Sequence, residues 1–150
     1  MKRADDHLLL FDEETLTSAT PRLKNLYYNF DSAAGIIYEV DVTKPVGERI
    51  RIKSMGDGKP FSLEAMYRVA VNSYRGNGGG ELLTKGAGIP REELEERVIS
   101  STDIDLRFYM LNYIEMRQNI DPQRLNHWKF VPEHWANVAA KRDYKLLFGR

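Results

Sequence analysis

The sequence predicts an α+β domain, with an antiparallel or mixed sheet in the middle of the chain and helices packing on it from the C-terminal third. Three observations predict it. Side chains alternate with a period of two over residues 36–42 and 49–55, Asp57-Gly58 supplies hairpin-turn chemistry, and apolar residues recur at helical spacing from Ile104 to Ile114. With 150 residues the chain is expected to form a single domain, 1–150, long enough to bury a core without covalent staples.

Residues 1–25 read as irregular. Asp12-Glu13-Glu14 and Ser18-Ala19-Thr20-Pro21 are turn and loop chemistry, separated from the start by the short apolar run Leu8-Leu9-Leu10-Phe11. That run is far short of a membrane span, and Met1-Lys2-Arg3-Ala4-Asp5-Asp6 is too acidic for a signal peptide, so no membrane partner is expected.

The first strand is read over Gly35–Val42, where Ile36, Tyr38, Val40 and Val42 alternate with Ile37, Glu39 and Asp41. The second runs over Arg49–Met55, where Ile50 and Ile52 alternate with Arg49, Arg51 and Lys53. Pairing the two across Thr43–Glu48 sets acids opposite bases on the polar face, a favourable cross-strand arrangement. A third strand is expected at Tyr67–Ser73, running into a loop with four glycines in five positions, Gly76, Gly78, Gly79 and Gly80. Pro90 suits the first turn of a short helix carrying Glu92, Glu93, Glu95 and Glu96. Thr102, followed by Asp105, signals the start of the next helix, whose stripe is Ile104, Phe108, Leu111 and Ile114, widened by Leu106, Met110 and Tyr113. Asn119-Ile120-Asp121-Pro122 ends it, and a last helix is expected from about His134 toward Leu147.

Composition narrows the function classes. Twenty-two basic residues balance twenty-two acidic ones, which argues against a broad basic face for nucleic acid. The chain has no cysteine, so disulfides and thiolate metal sites are excluded. Its three histidines, His7, His127 and His134, sit in no metal-binding motif, and His127 and His134 read as surface or capping residues. Trp128, Phe130 and Trp135 read as packing residues that fasten the C-terminal segment to the sheet.

Two clusters carry chemistry. Tyr27-Tyr28-Asn29-Phe30, before the turn at Gly35, and Tyr74, before the glycine loop, could each be core or sheet-edge aromatics. Together they could also stack a flat heterocycle from both sides. Arg75 could reach a phosphate or simply face solvent.

The series Phe30, Gly35, Tyr38-x-x-Asp41, Gly58-Lys59-Pro60, Tyr67-Arg68-Val69-Ala70-Val71-Asn72 and Tyr74-x-x-Asn77-Gly78-Gly79 resembles the C-terminal substrate-binding domain of the 5′-nucleotidase family, and the resemblance implies that residues 1–150 correspond to the latter portion of that domain. That family includes UDP-sugar hydrolases and 2′,3′-cyclic-nucleotide phosphodiesterases, and the resemblance covers residues 26–90 best. It implies a nucleotide or nucleoside ligand with the base between Phe30 and Tyr74, where tyrosine replaces the family's more usual phenylalanine. It also implies a pocket wall from Asn77, Gly78, Gly79 and Gly80. The family loop reads Gly-Gly-Asp, its aspartate meeting the ribose; here Gly80 takes that place and Glu81 follows, so ribose contact passes to Glu81 or weakens.

The same resemblance implies a separate N-terminal metallophosphoesterase portion that binds two divalent metal ions and performs the hydrolysis. None of its Gly-Asn-His-Glu or Gly-His-x-His motifs occurs here, so no metal and no cofactor is expected on this chain, which is predicted inactive alone. Family members are commonly periplasmic or on the cell surface. The alternative is a non-catalytic structural or interaction domain that has lost its ligand, with a homodimer through exposed apolar surface as a further expectation.

Overall fold

A computed structural model of the protein describes residues 15, 18, 19, 21–25 and 27–149. Most of the expected irregular stretch 1–25, including Leu8–Phe11, lies outside the described residues. In chain order the elements are a 3-10 turn at Tyr27–Asn29, strands β1 (Ile36–Asp41) and β2 (Ile50–Met55), and a one-turn helix α1 (Ser73–Gly76). Single turns follow at Gly79–Glu81, Leu82–Gly86 and Arg91–Glu93, then helix α2 (Leu106–Arg117), strand β3 (Trp128–Val131) and helix α3 (Glu133–Phe148). The fold is α+β, with a three-stranded mixed sheet in the order β2-β1-β3. The chain divides into two compact units, Met1–Glu64 with Leu125–Arg150, and Ala65–Arg124.

The first unit holds the sheet. β1 and β2 pair antiparallel with Glu39 opposite Arg51, as the charge alternation predicts, and a bulge falls between Ile37 and Tyr38. The Glu39 carboxylate lies 3.8 Å from Arg51 and 3.5 Å from Lys53. These pairs are solvent-exposed and set register more than they add stability. At the far end of the hairpin the chain reverses through Asp57-Gly58, where Gly58 N–H donates to the Met55 carbonyl at 3.0 Å. β3 pairs with β1 in parallel, placing Trp128 across from Tyr38 and Phe130 across from Val40. A cis peptide joins Val131 to Pro132, and α3 starts directly after it. Ala136, Ala139 and Asp143 form the buried stripe of α3, whose small alanines let the helix come close to β3.

The expected third strand at Tyr67–Ser73 is not one. Residues 67–72 join no ladder, Ser73 already begins α1, and Tyr67, Val69 and Val71 are exposed. The third position of the sheet belongs to β3, which takes the free edge of β1 from far along the chain. The short element after Pro90 exists as one 3-10 turn with Pro90 at its N-cap, and its neighbour Leu94 is the buried apolar residue of the second unit. α2 is capped by Asp105, whose carboxylate accepts the Arg107 N–H at 2.7 Å. No residue of α2 is buried, so the stripe Phe108, Leu111 and Ile114 does not form a core. Leu106, Tyr109, Met110, Tyr113 and Met116 put apolar surface on its other sides as well.

Where β1 ends, Asp41 makes a polar turn. Its carboxylate accepts the Thr43 hydroxyl at 2.6 Å and the Thr43 N–H at 2.9 Å. Those two bonds, the hydroxyl's first, hold its pKa below the ordinary 3.8. A depressed carboxylate stabilises the fold above its unfolded pKa and loses that contribution as pH falls through the folded value. Between about pH 5 and pH 2, Asp41→Asn is therefore expected to show a shallower loss of thermal stability than the wild type. Equal acid slopes in the two melting series would refute this.

Candidate functional site

The predicted site residues fall in both units, and each half is built within its own. In the first unit the 3-10 turn Tyr27–Asn29 delivers Phe30, whose N–H donates to the Tyr27 carbonyl at 3.1 Å. The Phe30 ring is 61% exposed and rests against Trp128, with centroids 5.9 Å apart and planes tilted by 43°. Trp128 stacks on Tyr38 at 5.9 Å and 11°, and Phe130 meets it edge-on at 5.1 Å. Tyr38 is buried, and its hydroxyl accepts the Ala33 N–H at 3.2 Å, tying the loop after Phe30 to the sheet. Trp128 and Phe130 are packing residues as expected, because they lie on a sheet strand themselves. His127 differs from its reading as a surface or capping residue. It is half-buried edge-on to Tyr38, and neither ring nitrogen has a hydrogen-bond partner among the described residues.

In the second unit Asn72 caps α1, its side-chain oxygen accepting the Arg75 N–H at 2.9 Å. Tyr74 follows in the first turn and is 52% exposed. Arg75 is neither a free phosphate ligand nor a solvent-facing charge. It is 5% exposed, its guanidinium lies 5.2 Å from the Tyr74 ring centroid, and it donates to the Gly79 carbonyl at 3.1 Å. Sequence reasoning missed this role, since nothing local marks a cation for burial.

The glycine loop folds back on Tyr74. Gly78 and Gly80 have φ of 83° and 65°, the left-handed region that favours glycine. At Gly79 the requirement is space: a Cβ there would lie 2.5 Å from both Tyr74 Cε2 and the Tyr74 carbonyl oxygen. Asn77 closes α1, and its carbonyl accepts from Arg91 at 3.1 Å. Glu81 is itself at φ 60°, and its carboxylate pairs with Lys85 at 2.7 Å. Thus Tyr74, Asn77, Gly78, Gly79, Gly80 and Glu81 are brought together, while Phe30 is placed in the other unit with Trp128 and Tyr38.

The 5′-nucleotidase C-terminal domain model matches residues 8–85. The chain belongs to that family. Phe30, Tyr74, Asn77–Gly80 and Glu81 all lie inside the matched stretch, and α2, β3 and α3 follow it. The chain is 29% identical over 123 residues to the trifunctional nucleotide phosphoesterase protein YfkN of Bacillus subtilis, covering 75% of this chain and 8% of that protein. It is 28% and 30% identical to the 2′,3′-cyclic-nucleotide 2′-phosphodiesterase/3′-nucleotidases of Haemophilus influenzae and Salmonella typhimurium, covering 70% and 71% of this chain. Those alignments span 17% and 18% of the two relatives, so the chain covers less than a fifth of each protein it matches. No solved structure matches it.

Hydrolysis in the 5′-nucleotidase family is implied to need two divalent ions. Among the described residues no group of three His, Asp or Glu side chains is placed to hold a metal ion. The described residues therefore do not fit that metal site, and no hydrolytic step is assigned to them.

Proposed function

We propose that this 5′-nucleotidase C-terminal domain recognises a nucleotide or nucleoside by stacking its base between Phe30 and Tyr74. The observation that carries the reading is the common build of the two positions. Each ring is about half exposed or more, and each is supported by its own unit, Phe30 by Trp128, Tyr74 by Arg75 and Gly79. An aromatic ring held from behind with a face left open suits stacking and tolerates different bases. All three relatives are named as nucleotide phosphoesterases, which supports the ligand class. The Asn77–Gly80 loop forms the wall, and Glu81 accepts a ribose hydroxyl. A carboxylate has about four lone-pair positions, so Glu81 can do this while keeping Lys85.

Calorimetric titration with adenosine and with AMP tests the reading. Stacking is worth roughly 1–3 kcal/mol per base, so Phe30→Ala is expected to weaken binding by about 5- to 150-fold. Equal affinity in the variant and the wild type would remove Phe30 from the site. With Mn²⁺ or Zn²⁺ added, the chain is expected to bind AMP without turning it over, and turnover abolished by EDTA would contradict this.

A second reading, a non-catalytic interaction domain, draws on α2, whose apolar side chains are exposed on all sides. Self-association through that helix would appear in sedimentation as a concentration-dependent mass unaffected by adenosine.

A further inference from the structure

We infer that Trp128, which lies beyond the stretch matched to the family, is the positioning residue that presents Phe30 to the base. The inference rests on the stacking role proposed for Phe30 and adds to it a cause for the ring's orientation.

An exposed phenylalanine on a loop samples several rotamers, and fixing one of them costs entropy that subtracts from ligand affinity. Phe30 enters from a single 3-10 turn and is 61% exposed, so its own backbone does little to fix the ring. Its aromatic contact is the indole of Trp128, 5.9 Å away and tilted by 43°. Trp128 itself is well fixed. It stands on β3 directly across from Tyr38, stacks on that ring at an 11° tilt, and takes the edge of Phe130 at 5.1 Å. Tyr38 in turn is buried, and its hydroxyl holds the backbone of Ala33, three residues after Phe30. A continuous path therefore runs from the sheet to the Phe30 ring by two routes: indole packing from behind, and a hydrogen bond to the loop that carries the ring. The parallel pairing of β3 with β1 is what brings Trp128 to this place. Aromatic pairs of this kind contribute beyond the area they bury.

The test uses the full chain with adenosine as probe. Trp128→Leu keeps apolar bulk and removes the ring, and Trp128→Phe keeps a ring. Leucine is expected to weaken adenosine binding by about tenfold and phenylalanine by less than about threefold, in keeping with the worth of one ring pair. The chain has two tryptophans, so in Trp135→Phe the indole fluorescence reports Trp128 alone. It is expected to change saturably with adenosine at the calorimetric affinity, and to lose that response in Phe30→Ala. If Trp128→Leu and Trp128→Phe bind like wild type while Phe30→Ala does not, the positioning role is overturned and the stacking site stands. If Phe30→Ala also binds like wild type, or wild type shows no saturable binding, the stacking site itself falls. Should Trp128→Leu fail to fold by circular dichroism, the fluorescence response and Trp128→Phe decide, and a silent Trp128 signal at saturating adenosine overturns the inference.

Discussion

Gly79→Ala is expected to cut adenosine affinity by about tenfold or more while the sheet unit keeps its fold. The reason is the identity of the atoms an added Cβ would meet. It would lie 2.5 Å from Cε2 and 2.6 Å from Cδ2 of the Tyr74 ring, and 2.5 Å from the Tyr74 carbonyl oxygen. A flexible side chain could swing aside, but a backbone carbonyl cannot, and this one belongs to Tyr74 itself, inside the single helical turn Ser73–Gly76. Forcing a methyl into such a contact typically costs about 1–3 kcal/mol and is relieved only by moving one partner. Either partner matters here. The Gly79 carbonyl is held by the buried Arg75, whose guanidinium also lies by the Tyr74 ring, so displacing the loop disturbs all three groups. Gly76→Ala is the control. The nearest atom to its added Cβ is Val71 Cγ2 at 3.8 Å, an ordinary contact, and binding should stay within about twofold of wild type. Wild-type affinity in Gly79→Ala would separate Tyr74 from the ligand.

The parts of the fold readable in the sequence were those fixed by neighbours along the chain. The β1–β2 hairpin followed from period-two alternation and from Glu39 standing opposite Arg51. α3 began one residue before its expected start and ended one after its expected end. The α2 cap was displaced by three residues, because Asp105 takes the capping role while the Thr102 hydroxyl accepts the Ile104 N–H at 3.2 Å. What failed depended on distant partners. Tyr67–Asn72 alternates like a strand, but alternation does not say which sheet edge is free, and β3 occupies that edge of β1. β3 has only four residues, too few for a period to show, and its partner is far away in sequence. The same division holds at the site. Residue types at Phe30, Tyr74 and the glycines carried the family, which the comparisons establish. The burial of Arg75 and the support of Phe30 by Trp128 arise only when a loop folds back or a strand arrives from elsewhere.

The second large effect is expected between the two rings. If Phe30 and Tyr74 grip the same base, a double-substitution cycle in AMP binding must show coupling, because each ring's value depends on the other holding the base in place. Leucine is the replacement of choice, since it keeps apolar bulk and leaves the double variant measurable. With one ring gone the base can tilt, so the remaining ring already stacks less well and its removal costs less. The Phe30→Leu/Tyr74→Leu variant is thus expected to bind about fivefold more tightly than the two single losses multiplied together, a coupling of about 1 kcal/mol. Residues that act on a ligand independently add to within about 0.3–0.5 kcal/mol. Additive losses would mean that the rings meet different parts of the ligand or different ligands. Ribose 5-phosphate supplies the complementary measurement: it carries the sugar and phosphate without a base, so neither leucine variant should change its affinity. A loss there equal to the loss with AMP would assign the effect to a distorted loop. Coupling with AMP and indifference with ribose 5-phosphate together require a single base between two rings, since neither a packing defect nor two separate contacts produces both.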